Sequence, residues 1–164
     1  MKKFICAFLS LILLCSCSSG ADVQVVNRGL TFKAHIFYLS DKYVCSGEIS
    51  RDGVSTFKVE EGKICGFTAV CNGEKAVLSY EGKKSEQEYS ALEKSFFLPV
   101  ALMFSYFDSN EYSVEEVDNS FFVKGETSLG EFTLFVSPAG LPISVQFISN
   151  GFSVDFYDVA VQKG

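Results

Sequence analysis

Twelve consecutive residues, Phe96–Phe107, read FFLPVALMFSYF and carry no charge; Ser105 is their one strongly polar side chain. The run is too short to cross a bilayer, which takes roughly 20 apolar residues. As a helix it would be about 18 Å long and apolar nearly all round. Such a helix has to be covered, by its own protein or by a lipid-like ligand. The flanking sequence limits what can cover it, because almost all of it reads as short, one-sided strands.

From Gly29 the chain alternates strictly. Leu30, Phe32, Ala34, Ile36 and Tyr38 fall on one face, with Thr31, Lys33 and His35 on the other. That is the pattern of a half-buried antiparallel strand. Further strands are expected at 43–50, 55–60, 64–71 and 74–80. Asp52-Gly53, Asn72-Gly73 and Glu81-Gly82 mark the turns between them. The polar segment 83–89 is either a short edge strand or a loop. Ser90-Ala91-Leu92-Glu93 matches a capping box and predicts a short helix. Pro99 suits a first helical turn and not a helix interior, so a second helix is expected to start near Leu98-Pro99. It should run to about Phe107 and stop in Asp108-Ser109-Asn110. Strands resume at 112–117, an acidic edge, then at 121–127, 130–136, 143–149 and 152–157. Residues 137–142 form a Pro- and Gly-rich turn, and 159–164 either extend the last strand or fray. About ten strands at this spacing predict a mainly β domain, one large antiparallel sheet or barrel with a short helical insertion.

The first residues read as targeting and not as fold. Met1-Lys2-Lys3 is a basic start, Phe4–Leu14 an apolar run, and Leu14-Cys15-Ser16-Cys17 resembles a bacterial lipobox. The resemblance implies cleavage before Cys17 and a diacylglyceryl thioether on that residue. The expected organisation is a signal peptide at 1–16, a lipidated N-terminus and tether at 17–28, and one domain at 29–164. Acyl chains contribute about 0.8 kcal/mol per buried CH₂, so two or three of them anchor a protein stably. The expected location is extracytoplasmic, on a membrane.

Removing the signal takes Lys2 and Lys3 with it and leaves 12 basic against 20 acidic side chains, a net charge of −8. So acidic a domain is not expected to bind nucleic acid through its phosphates, and it lacks a polybasic patch for anionic headgroups. Cys45, Cys65 and Cys71 remain, an odd number for an exported chain. Cys65 and Cys71 share one expected strand, so about 20 Å of extended chain separates them and they cannot bridge unless that strand is broken. Cys45 can pair with either across strands, or all three stay reduced.

Candidate chemistry is sparse. His35, the single histidine, lies on a polar strand face with no nucleophile and orienting group arranged around it. His35, Cys45, Cys65 and Cys71 have the residue types of a zinc site but no close spacing. Glu60-Glu61 and Glu115-Glu116 are neighbours on strands and point to opposite faces. Asp108, Glu111, Glu115, Glu116 and Asp118 read as a solvated face without an EF-hand pattern. No cofactor, metal or catalytic residue is expected, and the chain is not read as an enzyme.

The order of elements resembles the LolA/LolB-like lipoprotein-localisation factors. The matching stretches are Leu30–Tyr38 as opening strand, Gly66–Tyr80 as central hairpin, Phe96–Phe107 as covering helix and Gly140–Phe156 as closing hairpin. The resemblance implies a strongly curved, unclosed half-barrel whose concave apolar face takes acyl chains of lipid or lipoprotein, with helices closing its mouth. The expected lining is Phe32, Ile36 and Phe57 from the first half and Phe132, Phe147 and Phe156 from the second. Leu102, Met103 and Phe104 form the lid. Phe supplies 17 residues and Trp none, and these rings either line a groove or fill the core of a wide one-layer sheet. The first use makes the chain an acyl-binding lipoprotein. The second makes it a structural, interaction or envelope-sensing lipoprotein with a self-filled core and a protein partner.

Overall fold

A computed structural model describes residues 23–148 and 151–162. The targeting segment and Cys17 lie outside the described residues, as does the Ser149-Asn150 part of the last hairpin turn.

Eleven strands form a single antiparallel sheet. In chain order they are β1 (Leu30–Tyr38), β2 (Asp41–Ile49), β3 (Ser55–Glu61), β4 (Thr68–Cys71), β5 (Lys75–Tyr80) and β6 (Lys83–Glu88), then, after one α-helix, α1 (Leu98–Ser109), β7 (Glu115–Val117), β8 (Ser120–Thr127), β9 (Gly130–Val136), β10 (Pro142–Phe147) and β11 (Phe152–Val161). The spatial order is β6-β5-β4-β3-β2-β1-β11-β10-β9-β8-β7. β1 and β11 pair at the centre, Tyr38 beside Phe152 and Leu30 beside Val161. β6 and β7 are the two ends of the order, so the sheet is open. Both ends are exposed along most of their length and charged, KKSEQE and EEV. Such edges deter pairing with another chain.

The expected alternation is present. Leu30, Phe32, Ala34 and Ile36 are buried on the concave face, and Thr31 and Lys33 are exposed on the other. Segment 83–89, left between strand and loop by its sequence, forms the edge strand β6 as far as Glu88. The final strand runs on to Val161.

Four expectations are corrected. The strand at 64–71 begins only at Thr68, because Gly62 and Gly66 take left-handed φ values of +129° and +86° and wind 62–67 into turns. Cys65 N–H donates to Gly62 O and Phe67 N–H to Ile64 O within them. The capping box at Ser90–Glu93 does not form; Tyr89–Ala91 is one 3-10 turn closed by Leu92 N–H on Tyr89 O. There is therefore one α-helix among the described residues, not two, with Pro99 in its first turn and its end at Ser109, two residues past Phe107. Asp108 is not simply solvated, since it pairs with Arg28. The acidic edge at 112–117 shortens to Glu115–Val117.

Flat, eleven strands would span about 48 Å, yet one helix of about 18 Å reaches rings on both halves. The sheet curls, and two glycines let it do so. Gly47 on β2 faces Phe32 on β1, and Gly125 on β8 faces Phe132 on β9. A Cβ at Gly47 would lie 2.2 Å from Phe32 Cζ, and one at Gly125 would lie 2.4 Å from Phe132 Cζ. Each ring thus lies directly on a glycine of the neighbouring strand. Glycine kinks of this kind, together with bulges, are how sheets are bent. A bulge where β1 meets β11 adds to the bend: the register shifts between Thr31 and Lys33, and Asp158 takes φ +50°.

Candidate functional site

The hollow of the sheet is an aromatic trough, and α1 lies in it. Phe97, just ahead of the helix, packs on Phe57 of β3 with ring centres 6.2 Å apart. In mid-helix Phe104 stacks on Phe32 of β1 at 6.0 Å and meets Phe156 of β11 edge-on at 6.1 Å. Near the end Tyr106 and Phe107 reach Phe132 of β9 at 5.3 and 6.2 Å. The helix therefore crosses the trough from β3 to β9. Phe32 and Phe132 are hubs: Phe32 also touches Phe57 and Phe156, and Phe132 also touches Phe147.

Of the residues expected to line the cavity, Phe32, Ile36, Phe57, Phe132, Phe147 and Phe156 are all buried on the concave face. Met103 and Phe104 are buried against them at 0% and 2% exposure. Leu102 differs. It is only partly buried, on the shoulder of the helix near exposed Ser105. Helical phase explains this, since Val100, Met103, Phe104 and Phe107 occupy the inward arc. The sequence reading missed Phe97, Tyr106 and Phe107 as contacts. It also missed the two glycines under the hub rings, although an isolated glycine inside a strand signals close approach.

The three cysteines among the described residues are free. Cys45 and Cys71 are buried in the apolar face, and burial pushes each thiol up to about 12 from an ordinary 9.0. Cys65 is exposed in its turn, its thiol donating to Glu60 O at 2.9 Å. Iodoacetamide at pH 8 is accordingly expected to label Cys65 alone among these three, and Cys45 and Cys71 only after unfolding; this is read by peptide mass spectrometry. The folded pKa values lie above the unfolded ones, so the contribution of both thiols to stability is fully present below pH about 9 and falls as pH rises toward about 12. His35 is half-buried beside Tyr157, ring centres 4.9 Å apart. Among the described residues no group of three His, Cys, Asp or Glu is close enough to hold a metal ion.

Open grooves lie on the other face of the sheet, behind the two glycine corners. One, of about 410 Å³, is walled by Lys33, Lys58, Glu48 and Asp158; the other, of about 500 Å³, lies between Lys124, Glu131 and Ile148. The lysines of the first are already paired, Lys33 with Asp158 and Lys58 with Glu60.

An open, curved antiparallel sheet with a helix in its hollow is the architecture that the LolA/LolB-like resemblance implies. Among solved structures, an uncharacterised conserved protein from Thermus thermophilus is similar with a TM-score of 0.54 at 5% identity, over 82% of this chain and 79% of that one. This likeness shows a common fold. A LolA superfamily protein from Nitrosomonas europaea is similar with a TM-score of 0.43 at 9% identity, over 88% of this chain and 91% of that one. So loose a likeness carries nothing further. No family model and no curated protein matches the sequence.

Proposed function

We propose that the chain is an extracytoplasmic lipoprotein, anchored to a membrane through Cys17, whose trough takes acyl chains of lipid or lipoprotein in the place of α1. It is read as a binding protein and not as an enzyme. The observation that carries the proposal is the way α1 is held. Its contacts with the sheet are apolar and aromatic, and the residue that opens it, Phe97, provides no side-chain cap. An acyl chain offers the same kind of contact to the same rings. Vacated, the hollow would present a continuous apolar surface from Phe57 on β3 to Phe132 on β9. The test is whether acyl lipid travels with the protein in native mass spectrometry when the acylated cysteine is removed.

The self-filled reading has its own support. Val100 and Met103 are fully buried, and the grooves described above lie outside the trough. In that case α1 never leaves, and the protein works through its outer surface. The two readings differ in whether the helix is exchangeable.

A further inference from the structure

The C-terminal end of α1 is fastened to the segment that leads into β1. Asp108 Oδ1 accepts from Asn27 Nδ2 at 2.7 Å and from Arg28 Nε at 2.8 Å, while Arg28 Nη2 stands 2.7 Å from Asp108 Oδ2. Two parallel N–H···O contacts to one carboxylate make the geometrically most specific kind of ion pair. Arg28 Nη1 also donates to Arg51 O at 3.3 Å, which ties the same side chain to the β2–β3 turn.

The segment supplying these donors has no regular structure, yet it is firmly seated. Val25 is buried at 3% exposure, its N–H donating to Tyr112 Oη at 3.0 Å. Val26 N–H donates to Gly140 O at 2.9 Å. Gly140 has φ +74°, and a Cβ there would lie 1.8 Å from Gln24 O. The turn between β9 and β10 is therefore shaped to receive residues 24–26. At the other end of α1 the polar tie is slight, Leu98 N–H to Ser95 Oγ at 3.3 Å. The remaining described side-chain hydrogen bonds of α1, from Ser105 to Ala101 O and from Asn110 to Tyr106 O and Ser109 Oγ, stay within the helix and its cap.

We propose that Asn27 and Arg28 latch α1 in the trough, so that movement of the N-terminal segment frees the helix and opens the apolar face. The proposal rests on the reading that α1 gives way to ligand, and it adds the element that controls this. Only five residues lie between Cys17 and Val23, a reach of about 20 Å. A chain anchored at Cys17 thus holds its latch close to the membrane, where anything that draws on the tether acts on Asp108.

Hydrogen exchange of the protein, followed by mass spectrometry, tests this without any ligand. Arg28→Ala is expected to speed exchange of the α1 amides roughly fivefold, with β1 and β11 unchanged. Raising the salt to about 1 M screens the exposed pair and should do the same to the wild type while leaving Arg28→Ala as it is. The double exchange Arg28→Asp with Asp108→Arg should restore protection, which a general loss of stability would not. Unchanged α1 exchange in Arg28→Ala overturns the latch, and so does an equal acceleration of α1, β1 and β11. Binding of a fluorescent fatty acid is measured separately. If α1 loosens but no fatty acid binds, the latch holds and the acyl-binding reading fails. If fatty acid binds while α1 exchange is unchanged, the latch alone fails.

Discussion

Gly47→Val is expected to destabilise the domain by about 3 kcal/mol, a loss that should not add in full to that of Phe32→Ala in the same chain. Three Phe32 ring atoms lie within 2.9 Å of where a Cβ would stand at Gly47. The ring cannot simply swing aside, because it packs on Phe57, Phe104 and Phe156 at 5.2 to 6.3 Å. Valine therefore pushes the hub of the first half into α1 or flattens the bend between β1 and β2. Phe32→Ala by itself should cost about 3–5 kcal/mol through the cavity it leaves. If Gly47 matters because the ring lies on it, the double variant will be more stable than the two losses added together. Chemical denaturation of the four chains gives the coupling. Simple additivity would mean that Gly47 and Phe32 act independently, and the glycine-corner account of the curvature would be wrong.

Phe104→Ala is the second large effect, and it separates the two functional readings by its effect on binding. Phe104 is 2% exposed and packs on both Phe32 and Phe156, so truncation should cost about 3–5 kcal/mol. If α1 competes with acyl chains for the trough, a weaker seat makes the open state more populated and ligand binding tighter. Each 1.4 kcal/mol shifts such a competition about tenfold, so a gain of roughly tenfold or more in fatty-acid affinity is expected alongside the loss in stability. A self-filled protein would lose the same stability and gain no binding. Met103→Ala, at about 2–5 kcal/mol, should behave alike. Leu102→Ala should do little, because that side chain lies on the helix shoulder.

Much of this architecture was legible in the sequence, for local reasons. The alternation of Leu30–Tyr38 needs only a period of two, and Asp52-Gly53 and Asn72-Gly73 carry their turn chemistry in two residues. The uncharged run from Phe96 had to be a covered helix wherever the strands lay. The misreadings are places where a local signal was outweighed. Ser90–Glu93 has the residues of a capping box, but the chain makes one 3-10 turn there and does not enter its helix until Leu98. Alternation suggested that 64–71 continues as strand, yet Gly62 and Gly66 turn the backbone instead. The position of Leu102 depends on helical phase, which an almost uniformly apolar run does not reveal. The Asn27–Arg28–Asp108 fastening joins residues about 80 apart in sequence. No local pattern announces it, and Asp108 taken with its acidic neighbours looks like a solvated face. Gly47 and Gly125 are a different case, since glycine inside the strands DKYVCSGEI and SFFVKGET was visible from the start.

The central claim is that the trough exchanges α1 for acyl chains. The most direct measurement is native mass spectrometry of the protein made without Cys17 and purified from cells without detergent. The account predicts a fraction carrying bound acyl lipid, displaced in proportion when a fatty-acid probe is added and enlarged by Phe104→Ala. A single ligand-free mass in both chains, unchanged by excess fatty acid, would contradict it and leave α1 as a permanent part of the core.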